Sequence, residues 1–247
     1  MALREIVIVK DATSLAREAA DRIEAGSAGT IAGAGRFSIA LSGGNTPRAV
    51  YELLAAAPAR DRIDWTRWEV YFGDERTVPP DHVDSNYRMA NQSLLSKVPL
   101  PAECVHRMMG ENPPQQAAVD YGRLLKDRFG DGGPDLVMLG MGDDGHTASL
   151  FPYTAALAEA KHRCVANWVE KLQSWRLTMT APFINRAAMV MILVSGAGKA
   201  DRVAEVIEGP RDPQRLPIQS INPNGAGAKL LWLLDEPAAV KLRSRAI

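Results

Sequence analysis

Short apolar runs recur along the chain, each followed by a turn and then a helical pattern, and this alternation restricts the fold more than any other feature. "EIVIV" (5–9), "FSIAL" (37–41), "WEVYF" (68–72), "DLVML" (135–139) and "AAMVMILVS" (187–195) read as buried strands, with Gly, Pro, Asp or Asn at or near their ends. "CVANWV" (164–169) and "WRLTMT" (175–180) suit two further strands. Helical patterns fill Asp11 to Ala32, "PRAVYELLAAA" (47–57) and "GKADRVAEVIEG" (198–209). A β-turn-α rhythm of this kind predicts an α/β fold, a mostly parallel sheet with helices on both faces. The segment 210–228, rich in Pro, Gly and Asn, reads as a long surface connection within one domain spanning 1–247.

Several function classes drop out on composition. Lys plus Arg and Asp plus Glu each number 29, so no strong overall field would gather nucleic acid or an anionic membrane. Any anion site must be local. The two cysteines, Cys104 and Cys164, form no C-x-x-C pair, which removes a disulfide framework and a zinc ribbon. The start, "MALREIVIVKDATSL", is apolar over too few residues for a signal peptide, and no apolar stretch approaches a membrane span. The expectation is a cytoplasmic globular protein.

In parallel α/β sheets ligands bind beyond the carboxyl ends of the strands, so the residues just after each strand carry the functional reading. After "FSIAL" come Ser42, Gly43, Gly44, Asn45, Thr46 and Pro47, then a helix. Glycines let a backbone approach closely, and helix N-terminal amides with the Ser42 and Thr46 hydroxyls suit a phosphate. The same residues also suit an ordinary β–α turn with a Thr or Asn cap and Pro near the first turn. No P-loop is present, because "LVSGAGKA" ends in Gly198-Lys199-Ala200 without the metal-binding hydroxyl. Around Ser42 one glycine of a nucleophile elbow is missing. After "WEVYF" come Gly73, Asp74, Glu75 and Arg76, where Arg76 can clamp an anion or simply pair within a solvated loop. Asp84 or Ser85 is placed to cap the following helix, and Asn86 suits either the site or the cap.

After "DLVML" stands "GMGDDGHTASLFP" (140–152), whose first six residues match G-x-G-x-x-G. A dinucleotide fingerprint continues as a helix packed on the sheet. Here Pro152 interrupts any such helix, and Asp143 and Asp144 fill the turn where a pyrophosphate would approach, although Glu170 can mimic the ribose-binding acid. The glycines read better as shaping a turn that points Asp144 and His146 into one cleft. Imidazole accepts a proton from water near neutral pH, and a carboxylate can orient it. A loop histidine satisfied by local hydrogen bonds is the plainer alternative. His82, His106 and His162 lack zinc-like spacing.

Together "LSGGNTP", "FGDERTVPPDHVDSNYRMA" and "GMGDDGHTASLFP", with the later "RLTMT" and "SGAGKA", resemble the motifs of the glucosamine-6-phosphate deaminase/6-phosphogluconolactonase family, in the family's order, from about residue 5 to 234. The resemblance implies a three-layer α/β/α Rossmann-like fold, no cofactor, and the substrate 6-phospho-D-glucono-1,5-lactone. It implies a phosphate against Ser42, Gly43, Gly44 and Thr46, with Arg76, Arg176 and Lys199 as cationic partners. His146 would be the general base, Asp144 its support or a sugar ligand, and Asp74 a contact to the ring. Asn45 departs from the Ser expected there. Either Asp144 or Asp74 can orient His146 on this reading.

Two rivals share the fold. An amino-sugar phosphate deaminase-isomerase resembles D-G-H followed, five residues after the His, by a Glu; here that position is Phe151. A non-catalytic sugar-phosphate sensor would carry a basic DNA-binding footprint, which the balanced charge does not supply.

Overall fold

The computed structural model describes residues 3–243. Its strands are β1 (Leu3–Val9), β2 (Phe37–Leu41), β3 (Trp68–Phe72), β4 (Asp74–Arg76), β5 (Leu136–Gly140), β6 (Cys164–Val169), β7 (Ser174–Met179), β8 (Met189–Val194) and β9 (Lys229–Asp235). Its helices are α1 (Ala12–Ala34), α2 (Asn45–Leu54), α3 (Ala59–Arg62), α4 (Asn86–Ser93), α5 (Pro114–Phe129), α6 (Ala181–Ile184), α7 (Ala200–Glu208) and α8 (Glu236–Ala239). Six strands form one all-parallel sheet in the order β1-β9-β8-β5-β2-β3. No helix among the described residues is long and apolar enough to cross a membrane.

Local chemistry explains the punctuation. The Asp11 carboxylate accepts from the Ser14 amide at 2.8 Å and starts α1, and Gly35 ends it in the left-handed region at φ 77°. β2 is buried along its whole length, as a strand covered by helices on both sides must be. Right-handed crossovers then divide the helices: the connections β1→β2 and β2→β3 run one way along the sheet, while β3→β5 and β8→β9 run the other. This sets α1 and α2 on one face and α5 and α7 on the other.

The switch falls between β2 and β5, whose outgoing connections leave in opposite directions. These two strands pair only through Ile39↔Leu136 and Ala40↔Val137. Asp135 clamps their entry end by accepting from the Ser38 amide and hydroxyl at 2.8 and 2.6 Å. Beyond Ala40 and Val137 the pairing stops, leaving space between the two carboxyl ends. A crevice at such a switch point is where this architecture receives ligands.

Three findings differ from the sequence expectation. First, "KLLWLLD" forms β9, a buried strand between β1 and β8 that the alternation of strands and helices did not reveal. Second, β6 and β7 do not join the parallel sheet. Their connection is short, with Gln173 at φ 46°, so they pair as an antiparallel hairpin, and β4 adds to its edge in a separate sheet ordered β4-β7-β6. Third, 210–228 is not simply a surface connection. Leu216, Ile218 and Ile221 are buried, and Pro217–Ser220 forms a single helical turn packed beneath the loop that carries Gly145.

Candidate active site

The loops after β2 and β5 close around a cleft of 240 Å³ lined by Ser42, Gly43, Gly44, Asp74, Arg76, Asn86, Gly140, Met141, Gly142, His146, Thr147 and Ala148. Of the sequence-predicted residues, Ser42, Gly43, Gly44, Asp74, Arg76 and His146 therefore share one wall-to-wall site. Thr46, Asp144, Arg176 and Lys199 do not line it.

The β2 side is a rigid turn. The buried Tyr51 hydroxyl, in the second turn of α2, donates to the Ser42 carbonyl at 2.8 Å and accepts from the Ser42 amide at 2.9 Å. Burial raises this phenol's pKa well above its ordinary value, so it stays protonated and able to donate. Gly44 takes φ 107°, which turns the chain into α2 with the helix N-terminus at the cleft. Gly43 is required for a different reason: a Cβ there would stand 1.9 Å from Asn86 Oδ1. Thr46 lies in the first turn of α2 with its side chain outside the lining.

The acidic cluster after β3 divides by role. Glu75 faces away from the cleft and starts α4: its carboxylate accepts from the amides of Arg76, Asn86 and Tyr87 at 2.7–2.8 Å and from the Ser85 hydroxyl at 3.1 Å. Burial raises its pKa in spite of those backbone donors. Asp74 lines the cleft with both oxygens held, Oδ1 by Asn86 Nδ2 at 3.2 Å and Oδ2 by the Ser149 hydroxyl at 2.7 Å. Asn86, which suited either a cap or the site, belongs to the site; Ser85 is the cap of α4.

Two arginines meet across the small sheet. Arg76 on β4 and Arg176 on β7 are direct register partners. Arg76 donates to the Asp84 carbonyl, and Arg176 to the Ser174 hydroxyl at 2.8 Å and the Trp175 carbonyl at 3.2 Å. Neither has a carboxylate within ion-pair distance among the described residues. Burial, and then the adjacent Arg76, lower the Arg176 pKa. Two like charges side by side without a counter-ion make a ready anion site. Lys199, at the start of the α7 region, donates to the Met141 carbonyl at 2.9 Å and to Asp143. Its ammonium braces the loop after β5.

His146 owes its pose to that loop. Its Nδ1 lies 2.5 Å from Asp144 Oδ1, which also accepts from the His146 amide at 3.1 Å. Of the two carboxylates left open by the sequence, Asp144 is thus the one that orients the ring, while Asp74 is committed to Asn86 and Ser149. With Asp144 accepting the Nδ1 proton, Nε2 carries the lone pair, and it has no hydrogen-bond partner among the described residues. Burial pushes the Asp144 carboxyl upward, but the hydrogen bonds from His146 and Lys171 outweigh it and hold this group well below the usual carboxylate range. The ring stacks on Phe151 with centroids 4.2 Å apart and planes at 23°. Gly142 leaves room for it, since a Cβ there would stand 2.0 Å from ring atoms Cε1 and Nδ1. Gly145, at φ 80°, makes the turn that returns His146 toward Gly142, whose amide donates to the His146 carbonyl at 2.9 Å. Two glycines of the G-x-G-x-x-G match, Gly142 and Gly145, therefore serve the Asp144–His146 pair.

A family model described as glucosamine-6-phosphate isomerases/6-phosphogluconolactonase matches residues 10–232. The chain belongs to this family. It is 39% identical over 245 residues to the 6-phosphogluconolactonase of Nostoc sp., covering 97% of this chain and 98% of that one. It is 43% identical over 219 residues to the 6-phosphogluconolactonase of Synechocystis sp., covering 86% and 88%. Among solved structures, the 6-phosphogluconolactonase from Trypanosoma cruzi superposes with a TM-score of 0.86 at 26% identity, over 99% of each chain. A monomeric glucosamine-6-phosphate deaminase superposes with a TM-score of 0.82 at 19% identity, over 96% of this chain and 99% of that one, a likeness of fold alone.

Residues that sequence reasoning missed are Gly140, Met141, Gly142, Thr147 and Ala148 in the lining and Lys171 behind it. The first five lie within or beside the quoted motif, so its local spacing could have found them. Lys171 lies 27 residues from the carboxylate it bonds and left no local signal.

Proposed function

We propose that the chain hydrolyses 6-phospho-D-glucono-1,5-lactone to 6-phospho-D-gluconate, with His146 as general base. The observation that carries this reading is the Asp144–His146 pair, whose Nδ1 is bonded and whose Nε2 is free at the cleft. Nε2 takes a proton from water as the water oxygen bonds to the lactone carbonyl carbon. The ring C–O bond then breaks, and the same proton passes to the departing ring oxygen, so lactone plus water balances to the open acid. A positioned base of this kind contributes ~10²–10⁴-fold. No nucleophilic side chain is needed, because a lactone is already an activated ester.

The phosphate goes to the other end of the cleft, against the Gly43–Gly44 turn and the α2 N-terminus, with Arg76 and Arg176 as counter-charges. Ser42 adds its hydroxyl, Asp74 meets sugar hydroxyls, and Lys199 keeps the Met141–Asp143 segment in place beneath the reacting carbonyl. Anchoring the phosphate fixes the carbonyl against the water and turns binding into orientation. Phe151 supports hydrolysis over deamination: it fills the place of the deaminase carboxylate and supplies a stacking face for His146.

The test is acid release from freshly generated phosphorylated lactone over the spontaneous rate, with unphosphorylated gluconolactone and glucosamine 6-phosphate alongside. Acceleration of the phosphorylated lactone alone is expected. Ammonia release from glucosamine 6-phosphate, with no effect on the lactone, would overturn the proposal.

A further inference from the structure

The hairpin β6–β7 sends one charged residue back to the site. Lys171 lies in the single turn Glu170–Leu172, ended by Gln173 in the left-handed region at φ 46°. Its ammonium bonds Asp144 Oδ2 and lies 4.8 Å from the centroid of the Phe151 ring. Asp144 Oδ1 holds His146 Nδ1, and Phe151 stacks on the His146 ring. The contacts form a closed circuit of four side chains: Lys171 to Asp144, Asp144 to His146, His146 to Phe151, and Phe151 back to Lys171. His146 lines the catalytic cleft, whereas Asp144, Phe151 and Lys171 line a 790 Å³ groove on its far side. The circuit is thus the partition between the two.

The geometry points to Lys171 as a positioning residue for the hydrolysis, one that fixes the Asp144 carboxylate and the Phe151 ring so that His146 is held with its Nδ1 proton on the aspartate and its Nε2 toward the cleft. This rests on the reading of His146 as the base. The physical need follows from the torsions. A carboxylate with one oxygen tied to a ring nitrogen and the other in solvent swings about a broad, two-fold side-chain torsion. Binding its second oxygen to a donor from a different element removes that freedom. Phe151 is already buried, and the ammonium over its ring adds the attraction of a cation to the aromatic face. The ammonium is half exposed, so its value lies in geometry more than in net stability.

Three variants separate this role from mere packing. Lys171→Met keeps length and removes charge, Lys171→Arg keeps a donor able to reach the carboxylate, and Lys171→Ala removes the stem as well. Partners that orient a functional histidine from behind typically contribute ~10–100-fold in metal sites, and the same geometric logic applies here. Lys171→Met and Lys171→Ala should lower kcat on the phosphorylated lactone ~10–100-fold with KM within about twofold, and Lys171→Arg should restore most of it. In the free protein, nitrogen NMR of His146, assigned against His146→Ala, should show the Nδ1–H tautomer for the unmodified chain and a tautomer mixture for Lys171→Met.

An unmodified chain that fails to accelerate lactone hydrolysis would overturn the hydrolase reading, while the NMR arm still reports on the circuit. Wild-type kcat together with an unchanged tautomer in Lys171→Met would overturn the role of Lys171 and leave the hydrolase reading intact. A rise in KM with kcat unchanged would also overturn it, because that would make Lys171 a substrate contact.

Discussion

Gly142→Ala isolates the position of the His146 ring from its chemistry. An added Cβ would meet Cε1 and Nδ1 at 2.0 Å, whereas ordinary contact begins at 3.4 Å, so the imidazole must retreat by about 1.4 Å. Good hydrogen-bond lengths span only ~0.5 Å, so the 2.5 Å bond to Asp144 cannot survive in its present form. A reacting group misplaced by 1 Å costs on the order of 10²-fold, and complete loss of a general base up to ~10⁴-fold. The expected result is a fall in kcat of ~10²–10⁴-fold, or ~2.7–5.4 kcal/mol of transition-state stabilisation, with KM nearly unchanged because the phosphate end is untouched. Stability should fall modestly, since Gly142 is not among the glycines at positive φ but the displaced ring gives up its bond to Asp144 and its stack on Phe151. Stopped-flow or pH-indicator kinetics on fresh phosphorylated lactone, with a thermal melt of the same preparation, measures both. An intact Gly142→Ala protein with kcat within about threefold of the parent would refute the placement of His146 as base.

Replacing Arg76 or Arg176 by Met should raise KM for the phosphorylated lactone ~10–100-fold and leave turnover of the unphosphorylated lactone unchanged, since a hydrogen bond to a charged group contributes ~1.5–3 kcal/mol; parallel Michaelis curves on both substrates decide it. Glu75→Gln should cost ~1–3 kcal/mol of stability in denaturant unfolding, because an amide group would face at least one backbone donor that the buried carboxylate now accepts from. For Asp144 the folded-state pKa lies below the ordinary 3.8, so its ionised form stabilises the fold above that value and the contribution disappears as pH falls through the folded-state value. The melting-temperature gap between the parent and Asp144→Asn should therefore be present at about pH 5 and should close as the pH falls below about 4.

Much of this was legible in the sequence, for identifiable reasons. The strands β5 and β8 are continuous apolar runs and β2 and β3 are each broken by one polar residue, Ser38 and Glu69, because helices cover the sheet, and the loops after β2, β3 and β5 show their chemistry because glycine and charge crowd the strand ends. β9 escaped because it follows a segment dense in Pro and Gly and precedes only a single helical turn, so no β–α rhythm announces it. Pairing direction is invisible to composition: β6 and β7 look like any half-buried strands, and only the short connection makes them antiparallel. The choice between Asp144 and Asp74 depended on partners far along the chain, since Ser149 and Asn86 occupy Asp74. Phe151 was recognised as a departure from a deaminase, yet its stacking on His146 is a fact of three dimensions.

The central claim is that Nε2 of His146 activates water against a phosphorylated lactone. Its most direct test compares initial acid release by the unmodified chain and by His146→Ala on freshly generated 6-phospho-D-glucono-1,5-lactone, with the spontaneous rate subtracted. Turnover well above background that falls by ~10²–10⁴-fold in the variant, with the melt unchanged, is the predicted result. Near-normal turnover by a folded His146→Ala protein would contradict it.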